Sequence, residues 1–400
     1  MKKNLLTVLC AMLALNTFAQ ETKEEPKKEE GFEFTVVKEN PITSIKNQNQ
    51  SGTCWCFSTL SFIESELLRM KKGEHDLCEM FVVHKTMEDR AAQTVRTHGD
   101  VSYSQGGSFY DVIYCLDKYG ICPQDAMPQP GTLYGDTLPN HNEVDIVATG
   151  FVEALATSKL KKLSPVWKQA FSGIYDAYLG KCPETFSHNG KTYTPKSYVE
   201  ELGLKMDDYI SLTSFTHHPF YKPFVIEVQD NWRWGLSYNL PLDEFMQVFD
   251  YALNNGYTIA WGSDVSESGF TRNGVAVMPD MEQAADLTGS DAAHWLGLTP
   301  SQKRMEATQK PSPEMKITQE MRQLAYDNWE TTDDHGMHIY GIAKDQTGKE
   351  YYMVKNSWGK AGKYNGIWYA SKAFTAYKTM NIVVHKDGIP KELRKKLGIK

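Results

Sequence analysis

The sequence predicts an α+β fold, in which a lobe of helices precedes a lobe of antiparallel strands. From Cys54 onward, apolar residues recur at steps of three and four, as on the buried face of a helix, and a second helix is predicted over 109–119. Towards the C-terminus the pattern changes to that of short strands, which are predicted over 337–343, 351–355, 366–370 and 380–384. A cleft between two such lobes can draw a functional site from both ends of the chain.

The first 31 residues have the character of a targeting segment and a linker. Lys2 and Lys3 precede an apolar run and then small residues, so residues 1–19 are predicted to be a cleaved signal peptide. We therefore expect an exported protein, periplasmic or secreted. Residues 20–31 are charged and lack apolar anchors, which is typical of a solvated tether. Residues 32–400 are expected to form one domain, which begins with a strand over 32–37.

The apolar periodicity that predicts helices and strands is weaker in the middle of the chain than at its two ends. We expect a helical lobe over residues 45–130, an insertion over 131–320 and a sheet lobe over 321–390. The predicted elements of the middle are helices over 166–179, 242–254 and 318–329 and a buried strand over 258–261. His217 and His218 precede Pro219 and indicate a polar turn.

Composition excludes several classes of function. The chain of 400 residues has a formal net charge of -7 and no clustered basic segment of the kind that nucleic-acid binding requires. Six cysteines lie beyond the predicted signal peptide, but the sequence contains no C-x-x-C pair and no Cys/His cluster with zinc-like spacing. We therefore expect no metal, no organic cofactor and no nucleic-acid partner.

Cys54 has the surroundings of a nucleophile. A thiol attacks a carbonyl only as its thiolate, which the N-terminus of a helix and a neighbouring histidine both favour. His335 stands at the start of one predicted strand and Asn356 at the end of the next, so a hairpin can bring them together. Asn356 would then hold the histidine in the correct tautomer. Trp358 would cover the bond between them.

Other residues compete for these roles. Cys56 lies two positions further along the helix and faces elsewhere. His338 is separated from His335 by an odd number of strand positions, so only one of the two can meet Cys54, and His338 is expected to be a solvated or hydrogen-bonded surface residue. Gln48 and Gln50 both precede Cys54 and could supply a side-chain amide to an oxyanion hole.

The pattern Gln-x5-Cys-Trp, a later histidine and Asn-Ser-Trp-Gly resembles the papain family of cysteine peptidases. That resemblance implies a two-lobe papain-like fold with a β-barrel-like sheet lobe. It assigns Gln48 to the oxyanion hole, Cys54 as nucleophile, His335 as base and Asn356 as its orienting residue. Gly106 and Gly107 resemble the segment whose backbone pairs with the substrate.

One spacing is unlike that of ordinary papain-like enzymes. Their histidine follows the cysteine by about 130–150 residues, whereas His335 lies 281 residues after Cys54. Such an insertion resembles the bleomycin hydrolase and aminopeptidase C branch, which implies an aminopeptidase that acts through a thioester, and a homo-hexamer. That branch carries a C-terminal arm in the cleft, which we expect to be missing here. An endopeptidase with an open cleft, a non-catalytic peptide-binding protein and an acyl transferase are therefore alternatives.

Overall fold

The computed structural model describes residues 31–128, 137–282 and 295–400. The predicted signal peptide and nearly all of the predicted tether lie outside the described residues. Within the described ranges, no helix combines the length and the apolar character needed to cross a membrane.

Three helices from the first part of the chain pack around one apolar core. They are α1 (Cys54–Arg69), α2 (Glu79–Arg96) and α3 (Phe109–Lys118). Helix α1 begins at the predicted position, and its side chains from Trp55 to Leu67 are all buried. Because both α2 and the sheet cover α1, its burial extends around the whole helix rather than along one stripe.

A ten-stranded sheet forms the second lobe. Its strands are β1 (Phe34–Glu39), β4 (Tyr209–Thr213), β5 (Pro223–Val225), β6 (Leu236–Asn239), β7 (Ile259–Ser263), β8 (Val275–Ala276), β9 (His335–Asp345), β10 (Glu350–Lys355), β11 (Ile367–Ser371) and β12 (Thr379–His385). Their order is β5-β6-β4-β12-β7-β9-β10-β11-β8, with β1 paired to β9.

The predicted α+β class is confirmed, but the sheet is less regular than expected. Most pairs are antiparallel, whereas β4 with β6 and β11 with β8 are parallel. The expected barrel-like closure is wrong for the described residues, since β5 and β8 stand at two separate ends of the strand order. The middle of the chain supplies both of these end strands, which span only three and two residues.

The middle of the chain divides between the two lobes. Helices α4 (Asn142–Ala156), α5 (Val166–Leu179) and α6 (Pro195–Leu202), with the hairpin β2 (Phe186–His188) and β3 (Lys191–Tyr193), share the core of the helical lobe. From β4 onward the chain joins the sheet, whose own core includes α7 (Leu242–Asn254) and the C-terminal α11 (Lys391–Leu397). The remaining helices are α8 (Pro300–Ala307), α9 (Gln319–Asp327) and α10 (Lys372–Lys378).

Strand β9 connects the lobes. It pairs with β1, β7 and β10, and α1 packs across it. A side-chain atom added at Gly336 would lie 3.3 Å from the carbonyl oxygen of Cys54 and 2.7 Å from Ser58 Oγ. Glycine at this position therefore lets the start of β9 approach the N-terminus of α1 closely.

Candidate active site

Cys54 is the first residue of α1 and is partly exposed. The α1 N-terminus has unpaired backbone N–H groups and the positive end of the helix dipole, which both favour a negative charge on Cys54. The backbone N–H groups of Trp55 and Gly336 also act on the thiol and favour its ionised form. The N-terminus of α1 thus supplies part of the thiolate stabilisation that a nucleophilic cysteine requires.

His335 and Asn356 lie together at one end of the hairpin formed by β9 and β10. His335 Nε2 is 2.8 Å from Asn356 Oδ1, and the same oxygen accepts a hydrogen bond from the Ser357 N–H at 2.7 Å. Because Asn356 Oδ1 accepts in both bonds, Nε2 of the neutral imidazole is the protonated nitrogen. That tautomer leaves Nδ1 as the basic nitrogen of His335.

Trp358 covers this pair as expected. Its ring stacks on the His335 imidazole, with 4.8 Å between centroids and 28° between planes. Phe270 and Trp368 contact Trp358 edge-on and hold it in position. Asn356 is almost fully buried beneath this group, so water does not compete for the His335–Asn356 bond.

Gln48 is the more buried and more firmly held of the two candidate glutamines. It is buried, its Nε2 donates to the Ser51 carbonyl at 2.8 Å, and its Oε1 accepts from Ser357 Oγ at 2.5 Å. These bonds fix the orientation of the amide and link it to the residue after Asn356. Gln50 is exposed, and its Oε1 accepts from Asn142 Nδ2.

The glycine pair stands where the backbone passes closest to other groups. A side-chain atom at Gly107 would lie 2.9 Å from the Trp55 ring, and one at Gly106 would lie 2.1 Å from the Asp230 carboxylate. Arg90 donates to the Gly106 carbonyl. Both positions therefore exclude a side chain, and Gly107 itself lines the cavity beside Cys54.

Burial disfavours charge on both reacting groups. It raises the pKa of the Cys54 thiol to about 11, and the carboxylates of Asp333 and Asp230 raise it as well. Burial also lowers the pKa of His335 to about 4, against the effect of its bond to Asn356. A thiolate–imidazolium pair at this site thus depends on the attraction between the two charges themselves.

A cavity of about 530 Å³ opens beside these residues. Cys54, His335 and Gly107 lie on its wall, together with residues of α3, β4, β6 and the segment between β5 and β6. Its size is in the range of small-ligand pockets, and it lies between the two lobes. The apolar and aromatic part of its lining includes Phe109, Ile113, Met206, Ile226, Trp234 and Met380.

The cavity is acidic, a feature that the sequence patterns did not predict. Among the described lining residues are five aspartates and no lysine or arginine; the aspartates are Asp117, Asp207, Asp230, Asp333 and Asp334. Asp230 is paired with Arg90 at 3.5 Å. Asp333 has no such cation among the described residues, and enclosure by the protein, with Asp230 and Asp334, raises its pKa to about 7. Its side chain is exposed at the cavity wall, so the surrounding protein and the neighbouring carboxylates act on it without sealing it from water.

Two competing residues lie away from the cavity. Cys56 is fully buried, with its thiol 3.5 Å from the Glu79 carbonyl. His338 faces α1 and its Nδ1 is 2.9 Å from Ser61 Oγ. The expectation that His338 would be a surface residue is wrong, because the packing of α1 across β9 buries this position completely.

Comparison with known proteins relates both ends of the chain to cysteine peptidases. The model of the papain family of cysteine proteases matches residues 31–128, and that of the peptidase C1-like family matches residues 314–399. These two segments carry Cys54 and the His335–Asn356 pair respectively. Both ends of the chain are therefore similar to papain-type cysteine peptidases, which supports a cysteine-type hydrolase of peptides.

The relatives that the chain matches along most of its length are bacterial aminopeptidases named C, E, G and W. Aminopeptidase G of Lactobacillus delbrueckii subsp. lactis is 22% identical over 405 residues, covering 90% of this chain and 85% of the relative. Aminopeptidase C of Streptococcus thermophilus is 22% identical over 393 residues, covering 87% and 81%. A crystal structure of PepW from Lactobacillus rhamnosis shares the fold, with a TM-score of 0.68 at 20% identity and coverage of 91% and 84%.

Proposed function

We propose that Cys54, His335 and Asn356 are the catalytic residues of an aminopeptidase. His335 Nδ1 takes the proton of the Cys54 thiol, and the thiolate attacks the carbonyl carbon of the first peptide bond. The imidazolium then protonates the departing amine, which leaves a thioester on Cys54. Water attacks the thioester while His335 accepts its proton, and the thiol takes that proton back as the acid product leaves.

Gln48 stabilises the negative oxygen of the tetrahedral intermediate in this proposal. The amide is held by Ser51 and Ser357, so it needs no reorganisation when charge develops. The backbone N–H of Cys54, at the N-terminus of α1, is the natural second donor. Neither donor requires a metal or cofactor.

The observation that carries the aminopeptidase proposal is the acidic lining of the cavity. A peptide with a free N-terminus brings an ammonium group to within one residue of the bond that Cys54 attacks. Asp230 and Asp333 are the carboxylates that act electrostatically on Cys54. An ammonium beside them would neutralise part of their charge and thereby lower the pKa of the thiol. A substrate with a free amine would thus assist the ionisation of its own nucleophile.

Hydrolysis of a paired set of coumarin substrates tests this proposal. One member has a free α-amine and the other has the same residue acetylated, and Cys54→Ala is the control for both. We expect cleavage of the free-amine member only, and its loss in Cys54→Ala. Efficient cleavage of acetylated peptides would establish the alternative of an endopeptidase. Activity that survives Cys54→Ala would exclude Cys54 as the nucleophile.

Alkylation distinguishes an enzyme from a peptide-binding protein on the same scaffold. At pH 6 an ordinary thiol is almost entirely protonated, whereas one paired with an imidazolium reacts rapidly with iodoacetamide. We expect Cys54 to be modified ahead of the other cysteines. Adding an amine nucleophile to the hydrolysis reaction tests acyl transfer, since a transferase would release the amide in place of the acid.

The proposal also includes export of the protein and its assembly into a hexamer. Residues 1–19 would direct export to the periplasm or the exterior, which sequencing of the mature N-terminus tests. A mature chain that still began at Met1 would contradict cleavage before Gln20. The hexamer that the family resemblance implies stays a prediction, and light scattering of the purified protein measures it.

A further inference from the structure

His217, His218 and Glu227 lie together on the side of the sheet lobe, outside the catalytic cavity. The two histidines follow β4 and the glutamate follows β5. His217 Nε2 is 3.1 Å from Glu227 Oε2, and His218 Nε2 is 3.0 Å from Glu227 Oε1. One ligand atom from each side chain lies within 4.8 Å of the others. We propose that these three side chains bind a divalent transition-metal ion such as Zn²⁺.

The donor set and spacing suit such an ion. Two imidazoles and one carboxylate bind Zn²⁺ in several known enzymes, with a solvent molecule in the fourth position. Tetrahedral bonds of about 2.0–2.1 Å put neighbouring ligand atoms about 3.3 Å apart. The two nitrogen–oxygen separations, each to a different oxygen of Glu227, are close to that value.

The imidazole of His217 is held by an outer layer of hydrogen bonds. Its Nδ1 is 3.1 Å from Gln323 Nε2 and 3.4 Å from Gln323 Oε1. The same amide is fixed because its oxygen accepts from the Thr216 N–H and its nitrogen donates to Asp327. Without an ion, Gln323 Nε2 donates to Nδ1, so the proton of His217 lies on Nε2 and is donated to Glu227. A metal on Nε2 would displace that proton to Nδ1, where Gln323 would accept it once its amide had turned to present Oε1. A fixed hydrogen-bond partner at Nδ1 is the feature that orients metal-binding histidines.

Aromatic packing restricts the other side chains. The His218 ring stacks on Phe224 with 4.3 Å between centroids, and the His217 ring stacks on Tyr326 at 5.5 Å. Tyr326 Oη also donates to the Glu227 carbonyl at 3.0 Å. Side chains already confined in this way lose little conformational freedom when an ion binds. The two histidines lie in a bend after β4, where a polar turn was expected, and their rings are already oriented there.

Calorimetric titration with ZnCl₂ tests the proposal. Cys54→Ala serves as the parent protein, because a thiol beside a histidine would itself bind zinc. We expect one equivalent to bind, and His217→Ala and His218→Ala each to weaken binding more than about 100-fold. Gln323→Ala should weaken it by about 10–100-fold while leaving all three ligands in place. His188→Ala is the matched control, since His188 Nδ1 lies 3.8 Å from a single carboxylate, that of Asp125.

Visible absorption spectroscopy with Co²⁺ gives a second measurement of metal binding, independent of calorimetry. Co²⁺ bound by two imidazoles and a carboxylate gives visible absorption bands of tetrahedral form, which should be lost in His217→Ala and kept in His188→Ala. Circular dichroism of each variant verifies that it is folded. Absence of saturable zinc binding, or binding that survives both His217→Ala and His218→Ala, would overturn the proposal.

Discussion

Replacing Asp333 by asparagine separates recognition of the substrate amine from the chemistry of Cys54. The substitution keeps the size of the side chain and removes its charge. Asp333 is well suited to this test because no lysine or arginine pairs with it among the described residues. The corresponding change at Asp230 would leave Arg90, which is fully buried, without its carboxylate partner.

The expected magnitude follows from the position of Asp333. A carboxylate and an ammonium 4 Å apart attract by about 1 kcal/mol in bulk water and about 4 kcal/mol near a protein surface. Measured exposed pairs contribute about 0.2–1 kcal/mol. Since Asp333 is open to the water of the cavity, we take about 1 kcal/mol, which raises KM for free-amine substrates by about fivefold. For acetylated substrates the same change removes a charge that disfavours the thiolate, so their slow cleavage should be unchanged or faster.

Steady-state kinetics from pH 6 to 8.5 measures both effects. Asp333 has its pKa raised to about 7, and the α-amino group of a peptide has a pKa of about 8. Both partners are therefore charged mainly between pH 7 and 8, and wild-type KM should rise as the pH falls through 7. Asp333→Asn should lack that rise, whereas Asp117→Asn on the α3 side of the cavity should keep it. An equal loss of activity on both substrates would refute the amine-binding role of Asp333.

Three further substitutions test the remaining parts of the site. Asn356→Ala removes the acceptor that fixes the His335 tautomer and should lower kcat by about 10–100-fold, part of the 10²–10⁴-fold that acid–base catalysis supplies; an unchanged kcat would contradict its orienting role. Gln48→Ala should lower kcat by about 10²–10³-fold, while Gln50→Ala, the matched control, should leave it near wild type. Gly107→Ala places a methyl group against Trp55 and should destabilise the fold by about 1–3 kcal/mol, seen as a lower urea midpoint with an unchanged slope.

The two ends of the chain were largely predictable from their patterns. The start of α1 at Cys54 and the strands that carry His335 and Asn356 follow from apolar periodicity and from residues that end elements, which are local properties. The juxtaposition of His335 with Asn356 followed from a hairpin, the shortest connection between antiparallel strands. Trp358 lies over that pair as its position just after β10 suggested.

Features that depend on packing between distant segments were not predictable. His338 is buried because α1 crosses β9, and no pattern within the strand reports the presence of a covering helix. The division of the middle of the chain between two cores depends on side chains such as Phe171 and Phe249 meeting residues far away in sequence. The acidic lining combines aspartates from α3, the loop before β4, the segment between β5 and β6 and the loop before β9, each unremarkable alone.

The place of β12 in the sheet has a consequence for biosynthesis. This strand is formed by residues 379–385, yet it lies between β4 and β7. Among the described strands it is the one that joins β5, β6 and β4 to the part of the sheet where His335 and Asn356 lie. A nascent chain can form its N-terminal helices early, but it cannot unite the two halves of the sheet until β12 has left the ribosome. A peptidase assembled in this order would not cleave other proteins while its own synthesis is incomplete.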